Sequence, residues 1–163
     1  MYLCEVKIET IHFFITNINT LLYKMIKAIV LSCMDYRFVT KIHNALSQEG
    51  YCENYDIFVA AGGSLMYTDD RSVFLLSDDL NNWRNMFEKH IDLALALHDI
   101  KEIIIFEHED CGAYKSFYKN KQSIRSHKYN FKMLQSYLSD QYQSLNIIGY
   151  EINLNGEYIK YDE

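Results

Sequence analysis

The chain has 163 residues, of which 49% are hydrophobic and 23% are charged, a composition typical of a single globular domain. It excludes a disordered chain, and no apolar run approaches the ~20 residues that a membrane span requires. The net charge of −6 argues against a general nucleic-acid surface. We therefore expect a domain that engages neither nucleic acid nor a membrane.

Residues 1–26 carry apolar side chains at helical spacing, which predicts an N-terminal helical extension. The remainder, 27–163, is expected to form a single α/β domain. A large exposed apolar stripe is unfavourable in water, so we expect the extension to pack on a partner subunit. The alternative is a start of translation at Met25, because Met25-Ile26-Lys27 is a second plausible beginning of the compact domain.

Strand and helix patterns alternate after Lys27. Short apolar runs predict strands over 27–32, 55–60, 101–106 and 147–153. Continuous apolar runs of this kind are typical of buried strands in a parallel sheet. Helical periodicity predicts the intervening helices, over 38–48, from Val73 to Leu97, just after Gly112 and near 129–142. The run Ser77-Asp78-Asp79 could divide the second of these helices into two. Asn155-Gly156 is typical of a tight turn and predicts an antiparallel edge strand over 157–161.

This alternation favours an α/β fold with a central, mainly parallel β-sheet flanked by helices. Functional sites in such sheets lie outside the carboxyl ends of the strands. Two clusters of chemically capable side chains follow predicted strands at that edge: Cys33, Asp35 and Arg37 follow the first strand, and His108 and Cys111 follow the strand at 101–106. These clusters are the candidate site.

Cys33, His108 and Cys111 together offer two thiolates and one imidazole, a set that zinc favours. Three protein ligands leave a fourth position open, as in catalytic zinc sites. His108 and Cys111 are three residues apart, so one turn at a strand end can aim both side chains at one point. We therefore predict one Zn2+ per chain, held by these three residues.

Asp35 and Arg37 alternate with Cys33, so all three could face one side of an extended turn. An arginine two residues from an aspartate can hold the carboxylate ionised and oriented through a charge-assisted pair. If Arg37 releases Asp35, that carboxylate could occupy the fourth zinc position and close the site. His43 and His127 are further candidates, as proton shuttles.

The remaining cysteines carry no such pattern. Four cysteines in all are too few for a secreted disulfide scaffold of this length, so we expect a reducing, cytoplasmic compartment. Cys4 and Cys52 have no chemically capable partners in the sequence and are interpreted as small packing residues. A thiol redox protein is disfavoured, because no Cys-x-x-Cys is present.

Three motifs in this order resemble the β-class carbonic anhydrase family. They are Cys-x-Asp-x-Arg at 33–37, Ala-Gly-Gly at 61–63 and His-x-x-Cys-Gly at 108–112. The similarity runs from about Lys27 to about Tyr118 and includes Thr-Asp-Asp-Arg-Ser at 68–72, as in the shorter members. The resemblance implies reversible, zinc-dependent hydration of CO2 to bicarbonate by a homodimer or a higher homo-oligomer.

The resemblance also implies roles for individual residues. Asp35 and Arg37 correspond to the catalytic dyad, and the three predicted zinc ligands correspond to those of the family. Gly62 and Gly63 are expected to let the backbone approach a small-molecule substrate closely.

One position departs from the family pattern. Members commonly have Arg-Asn before Ala-Gly-Gly, whereas this chain has Val59-Ala60, so a polar element of the site region is lost. Two alternatives therefore stay open: a hydrolase for carbonyl sulfide or carbon disulfide on the same zinc site, and a zinc-binding regulatory domain without turnover. The Asp35–Arg37 pair argues against the second, because a structural zinc needs no such dyad.

Overall fold

The structure is a computed structural model that describes residues 26–69, 77–118 and 125–161. The predicted N-terminal extension, apart from Ile26, and the predicted start of a helix at Val73 lie outside these residues. The described part forms one α/β unit around a five-stranded sheet. This is the fold class that the sequence predicts.

Five strands and four α-helices alternate along the described chain. The strands are β1 (Ala28–Ser32), β2 (Tyr55–Val59), β3 (Glu102–His108), β4 (Asn146–Ile152) and β5 (Tyr158–Lys160). The α-helices are α1 (Val39–Gln48), α2 (Ser77–His98), α3 (Gly112–Tyr118) and α4 (Arg125–Gln141), and a short 3₁₀ helix spans Gly63–Tyr67. Each predicted strand is present within two residues of its expected ends.

The strand order is β2-β1-β3-β4-β5. The first four strands are parallel, and β5 returns antiparallel to β4, which confirms the predicted edge strand after Asn155-Gly156. Gly156 adopts a φ of 87° in that turn, a conformation that glycine accepts without steric cost. All carboxyl ends of the parallel strands therefore lie at one edge of the sheet.

The two faces of the sheet bury separate apolar clusters, because side chains alternate along each strand. Ile29 and Leu31 of β1 pack on the face that is covered by the 3₁₀ helix and α2 to α4. Ala28 and Val30 pack on the opposite face, against α1. Both faces of the central strands are covered, which explains why the sequences of these strands are continuous apolar runs.

The expectation that the second strand is buried is wrong. Ile57 and Val59 of β2 are 53% and 49% exposed. The reason is the strand order: β2 is an edge strand of the described sheet. Ile57 shares the face of its partner Val30, and the cluster that α1 forms with Ala28 and Val30 does not extend to Ile57 or Val59.

Candidate metal centre

Strand register brings the two candidate clusters together. Ser32, the last residue of β1, lies opposite Val59 on one side and Phe106 on the other. Cys33 therefore emerges beside the end of β3, where His108 is the final strand residue rather than the loop residue that was expected. Cys111 immediately precedes α3, and its carbonyl accepts the first helical hydrogen bond from the Lys115 amide at 3.1 Å. Two loops and one strand end thus position three ligands.

The side chains of Cys33, His108 and Cys111 are buried, and their ligand atoms all lie within 4.8 Å of one another. The two Sγ atoms are 3.9 Å apart, far longer than the ~2.05 Å of a disulfide bond. Two metal–sulfur bonds of ~2.3 Å at a tetrahedral angle would separate the sulfurs by ~3.8 Å. The spacing of the pair therefore fits shared coordination of one metal ion.

His108 presents one ring nitrogen to this cluster. Its Nδ1 lies 2.7 Å from the carbonyl oxygen of Glu109, and because a carbonyl only accepts, Nδ1 carries the proton in this contact. Its Nε2 is buried and has no hydrogen-bond partner in the described part of the chain. The ring also packs on Phe38, with 4.1 Å between centroids. A buried, oriented and unpartnered Nε2 is the arrangement expected of a metal-ligating histidine.

Protonation of the two thiols differs. The pKa of Cys33 is lowered to about 4, chiefly by the hydrogen bond with Cys111 and also by His108 and the Gly62 amide, against the opposing effect of burial. The same hydrogen bond raises the pKa of Cys111. Burial acts to lower the pKa of His108, but the neighbouring Cys33 outweighs it and the net pKa is raised. One thiolate is therefore ready at neutral pH, and a metal would displace the remaining protons.

Asp35 and Arg37 form the pair that the sequence predicts. Arg37 Nη2 donates to Asp35 Oδ2 at 2.6 Å and Arg37 Nε donates to Oδ1 at 3.0 Å, while the Arg37 amide also donates to Oδ1 at 3.0 Å. The Arg37 side-chain hydrogen bonds lower the pKa of Asp35 to about 2. The carboxylate is ionised at neutral pH and held by a bidentate contact.

Asp110 is a second partner of Arg37 that the sequence did not reveal. Its Oδ2 accepts from Arg37 Nη1 at 3.1 Å, and its backbone carbonyl accepts from Nη2 at 3.3 Å. Lys115 also pairs with this carboxylate, and that contact, with the one from Arg37, lowers the pKa of Asp110. Asp110 lies between His108 and Cys111 in the sequence. The contacts of Arg37 with Asp35 and Asp110 therefore connect the loop after β1 to the loop after β3.

The Ala-Gly-Gly turn lies against the same cluster. Gly62 and Gly63 adopt φ values of 79° and 54°, which favour glycine. The Gly62 amide donates to Cys33 Sγ at 3.3 Å, and Ala60 is buried at the end of β2. Through this amide the turn contacts a candidate ligand side chain. A contact between Gly62 or Gly63 and a substrate stays a prediction.

A buried polar group next to the centre was missed by the sequence analysis. Glu107 is 2% exposed and contacts His127 and the amide of Ser64. The signal was present in Glu-Ile-Ile-Ile-Phe-Glu-His, where an acidic residue interrupts a buried strand and so requires a partner. His127 is engaged by this carboxylate. The other proposed shuttle, His43, is exposed, and its Nδ1 lies 2.9 Å from Tyr55 Oη. Tyr55 is the first residue of β2, so this contact lies at the amino ends of the strands, away from the candidate ligands.

The sequence profile of a protein family described as "Putative carbonic anhydrase" matches residues 23–160. The chain belongs to this family. It is 31% identical over 87 residues to an uncharacterized protein of Rickettsia conorii and 30% identical over 87 residues to one of Rickettsia bellii. Each match covers 53% of this chain, and 42% and 48% of those proteins, so the matched region is less than half of either relative.

Solved β-carbonic anhydrase structures are similar across nearly the whole chain. One from Trichomonas vaginalis is 16% identical, with a TM-score of 0.48 and coverage of 98% of this chain and 97% of that chain. Another, from a report of two tetrameric enzymes of Sordaria macrospora, is 13% identical, with a TM-score of 0.49 and coverage of 95% and 98%. Within residues 26–69, 77–118 and 125–161 of this chain, no helix is long and apolar enough to cross a membrane.

Proposed function

We propose that this protein is a zinc-dependent carbonic anhydrase that interconverts CO2 with bicarbonate and a proton. The observation that carries the proposal is the buried Cys33–His108–Cys111 cluster at the carboxyl edge of the sheet, in a chain of the carbonic anhydrase family. These three residues would hold the ion. Zinc, when bound, supplies a Lewis acid that lowers the pKa of a coordinated water towards ~7.

Asp35 orients the attacking water in this proposal. A carboxylate offers about four lone-pair sites, and Arg37 makes four contacts with it, because its Nε contacts both oxygens. The contact between Arg37 Nε and Oδ2 is 3.1 Å long, and in this proposal the attacking water donates to Oδ2 in its place. Because the pKa of Asp35 is about 2, the carboxylate is an acceptor throughout the neutral range.

Arg37 acts through Asp35 as a positioning residue. Its guanidinium holds Asp35 on one side and Asp110 on the other, so the carboxylate is fixed relative to the loop that carries Cys111. Fixing an acceptor before the reaction removes orientational freedom that would otherwise be lost on the way to the transition state. If the pair opened, Asp35 would be free to occupy the fourth metal position, which would close the site.

We place residues 27–163 in one catalytic domain that assembles as a cytoplasmic homodimer or higher homo-oligomer, with residues 1–26 as an extension of which residues 1–24 lie across the partner. The proposal is supported by the apolar stripe of that extension and by the coverage of both faces of the central strands within the described residues.

The experiment is metal analysis and stopped-flow CO2 hydration on one sample of purified protein. The expected result is about one zinc per chain, as for three-ligand catalytic sites, and catalysed hydration that is lost when a chelator removes the metal. Zinc without hydration, but with carbonyl sulfide or carbon disulfide hydrolysis, would assign the alternative hydrolase. Zinc with no turnover of any of these substrates would assign a regulatory domain, and a protein that binds no zinc would overturn the proposal.

A further inference from the structure

Glu107 is a buried carboxylate directly beside the metal centre that the proposed mechanism does not use. It precedes His108 in β3, and successive strand residues face opposite sides of the sheet. Its side chain therefore points away from the His108 ring, into the face covered by the 3₁₀ helix and α4. A buried acidic group is costly unless hydrogen-bonded, so its partners define what it does.

Both carboxylate oxygens of Glu107 have a buried partner. Oε2 lies 2.9 Å from Nδ1 of His127, a residue of α4. Oε1 accepts from the backbone amide of Ser64 at 2.8 Å. The His127 ring is itself fixed, because it stacks on Tyr114 with 3.8 Å between centroids. Glu107 is thus anchored on one side and holds the turn at Ser64 on the other.

The turn at residues 62–64 is shaped to receive this carboxylate. Gly63 adopts a φ of 54°, and a Cβ on it would lie 2.8 Å from Glu107 Oε1. A Cβ there would displace the carboxylate from this position, so the close approach and the positive φ both favour glycine. One residue earlier, the Gly62 amide donates to Cys33 Sγ at 3.3 Å. The turn therefore joins Glu107 to a candidate metal ligand by two hydrogen bonds.

We propose that Glu107 is a positioning residue for the metal centre, which holds the 62–64 turn so that the Gly62 amide points at the Cys33 sulfur. The inference rests on the proposed metal site. An N–H donor aimed at a thiolate stabilises its charge and fixes its direction, and partners of metal ligands typically change metal affinity by 10–100-fold. His127 acts one step further away, by holding the second oxygen of Glu107.

The test measures the zinc dissociation constant of metal-stripped, full-length protein by competition with a chromophoric chelator. Glu107→Leu removes both acceptors, and the dissociation constant should rise about 10- to 100-fold. Glu107→Gln keeps an acceptor for the Ser64 amide and should stay within about threefold of the parent, because the turn remains held. The thiolate-to-metal charge-transfer band of the Co2+-loaded protein should shift in Glu107→Leu only.

Glu102→Leu is the matched control. It removes a carboxylate from the same strand, at the end remote from the ligands, where Glu102 accepts from Tyr51 Oη. The inference is overturned if a folded Glu107→Leu binds zinc as the parent does, or if Glu102→Leu weakens binding equally. A parent protein that binds no zinc would instead contradict the proposed function, so the two failures are distinguishable.

His127→Phe provides a second variant in case Glu107→Leu does not fold. Phenylalanine can keep the stacking on Tyr114 but cannot donate to Oε2, so the carboxylate loses its anchor without leaving the site. The zinc dissociation constant should rise about threefold to tenfold, less than for loss of the carboxylate itself. An unchanged dissociation constant in this variant would overturn the role of the Glu107–His127 pair.

Discussion

Cys33 and Cys111 differ in how readily each gives up its proton. The pKa of Cys33 is lowered to about 4, chiefly by the hydrogen bond with Cys111, whereas the pKa of Cys111 is raised by that same contact. A metal ion that binds both sulfurs must therefore displace the proton that the two thiols share.

Cys111→Ser replaces a thiolate with a hydroxyl, which is a poor zinc ligand. We expect zinc retention after dialysis against a weak chelator to fall severely. Cys52→Ser is the matched control and should retain zinc fully. The interpretation of Cys52 as a packing residue is wrong, because its side chain is exposed and free. Near-parental zinc content in Cys111→Ser would remove Cys111 from the site.

Asp35→Asn separates turnover from metal binding. The amide keeps the shape of the side chain but loses the carboxylate that accepts from the attacking water. We expect zinc content to be unchanged and CO2 hydration to fall at least about 100-fold, within the range for a lost proton acceptor. Arg37→Ala should also lose activity, because Asp35 is then no longer held.

Asp110→Asn is the control for this pair. Asp110 contacts the same guanidinium but is 43% exposed and also paired with Lys115, so the loss in its variant should be far smaller. Parental hydration rates in both Asp35→Asn and Arg37→Ala would show that the pair has no catalytic role.

Packing between β4 and α4 depends on a residue with no side chain. Gly149 lies in β4, and a Cβ on it would collide with the Phe131 ring of α4. Phe131 is 1% exposed, so its ring has little room to yield. This contact sets the distance between the helix and the sheet that supports the ligands.

Gly149→Ala should lower the free energy of unfolding by about 1–3 kcal/mol, as overpacking in a filled core does. Chemical denaturation of the metal-loaded protein measures it. Phe131→Leu in the same chain frees space, so the double variant should be more stable than the sum of the single effects implies. Strictly additive losses would contradict the steric explanation.

Most elements could be predicted because apolar runs and helical periodicity are local properties. The Ile-Ile-Ile-Phe run marks β3, and the Asn155-Gly156 turn marks β5, whatever lies around them. The exposure of Ile57 and Val59 could not be predicted, since it depends on β2 taking the edge of the sheet. Leu97, grouped with the buried face of its helix, is 55% exposed for the same kind of reason: periodicity places a residue on a face but does not say where the covering layer ends.

The metal ligands could be located because strand ends meet at one edge of a parallel sheet. The Glu107–His127 pair next to the ligands could not be located from the sequence. The two residues are twenty positions apart and meet only through the packing of α4 on β3. The second partner of Arg37, Asp110, was hidden for a similar reason: its backbone has a φ of 59°, and the direction of its side chain follows from that turn.

At the scale of the whole molecule, the described residues cover both faces of the central strands of the sheet. The two apolar clusters are each buried beneath helices, whereas residues 1–26 carry a further apolar stripe in the sequence. A stripe of this size is buried in a stable protein, by its own domain or by another. We predict burial against a second copy.

Deletion of residues 1–24 should therefore weaken dimerisation and lower the melting temperature, while zinc content per chain stays the same. Light scattering at micromolar concentration measures the oligomeric state of both proteins. A full-length chain that remains monomeric would contradict the assembly, and a truncated chain that dimerises as the full-length chain does would show that the segment is dispensable for it.

The central claim is that one zinc ion is held by two sulfurs and one nitrogen at the carboxyl edge of the sheet. X-ray absorption at the zinc edge on the purified protein tests it most directly. We predict two sulfur neighbours at ~2.3 Å and light neighbours at ~2.0 Å that include one imidazole, with one sulfur lost in Cys111→Ser. A first shell of oxygen and nitrogen alone, or of four sulfurs, would contradict the account.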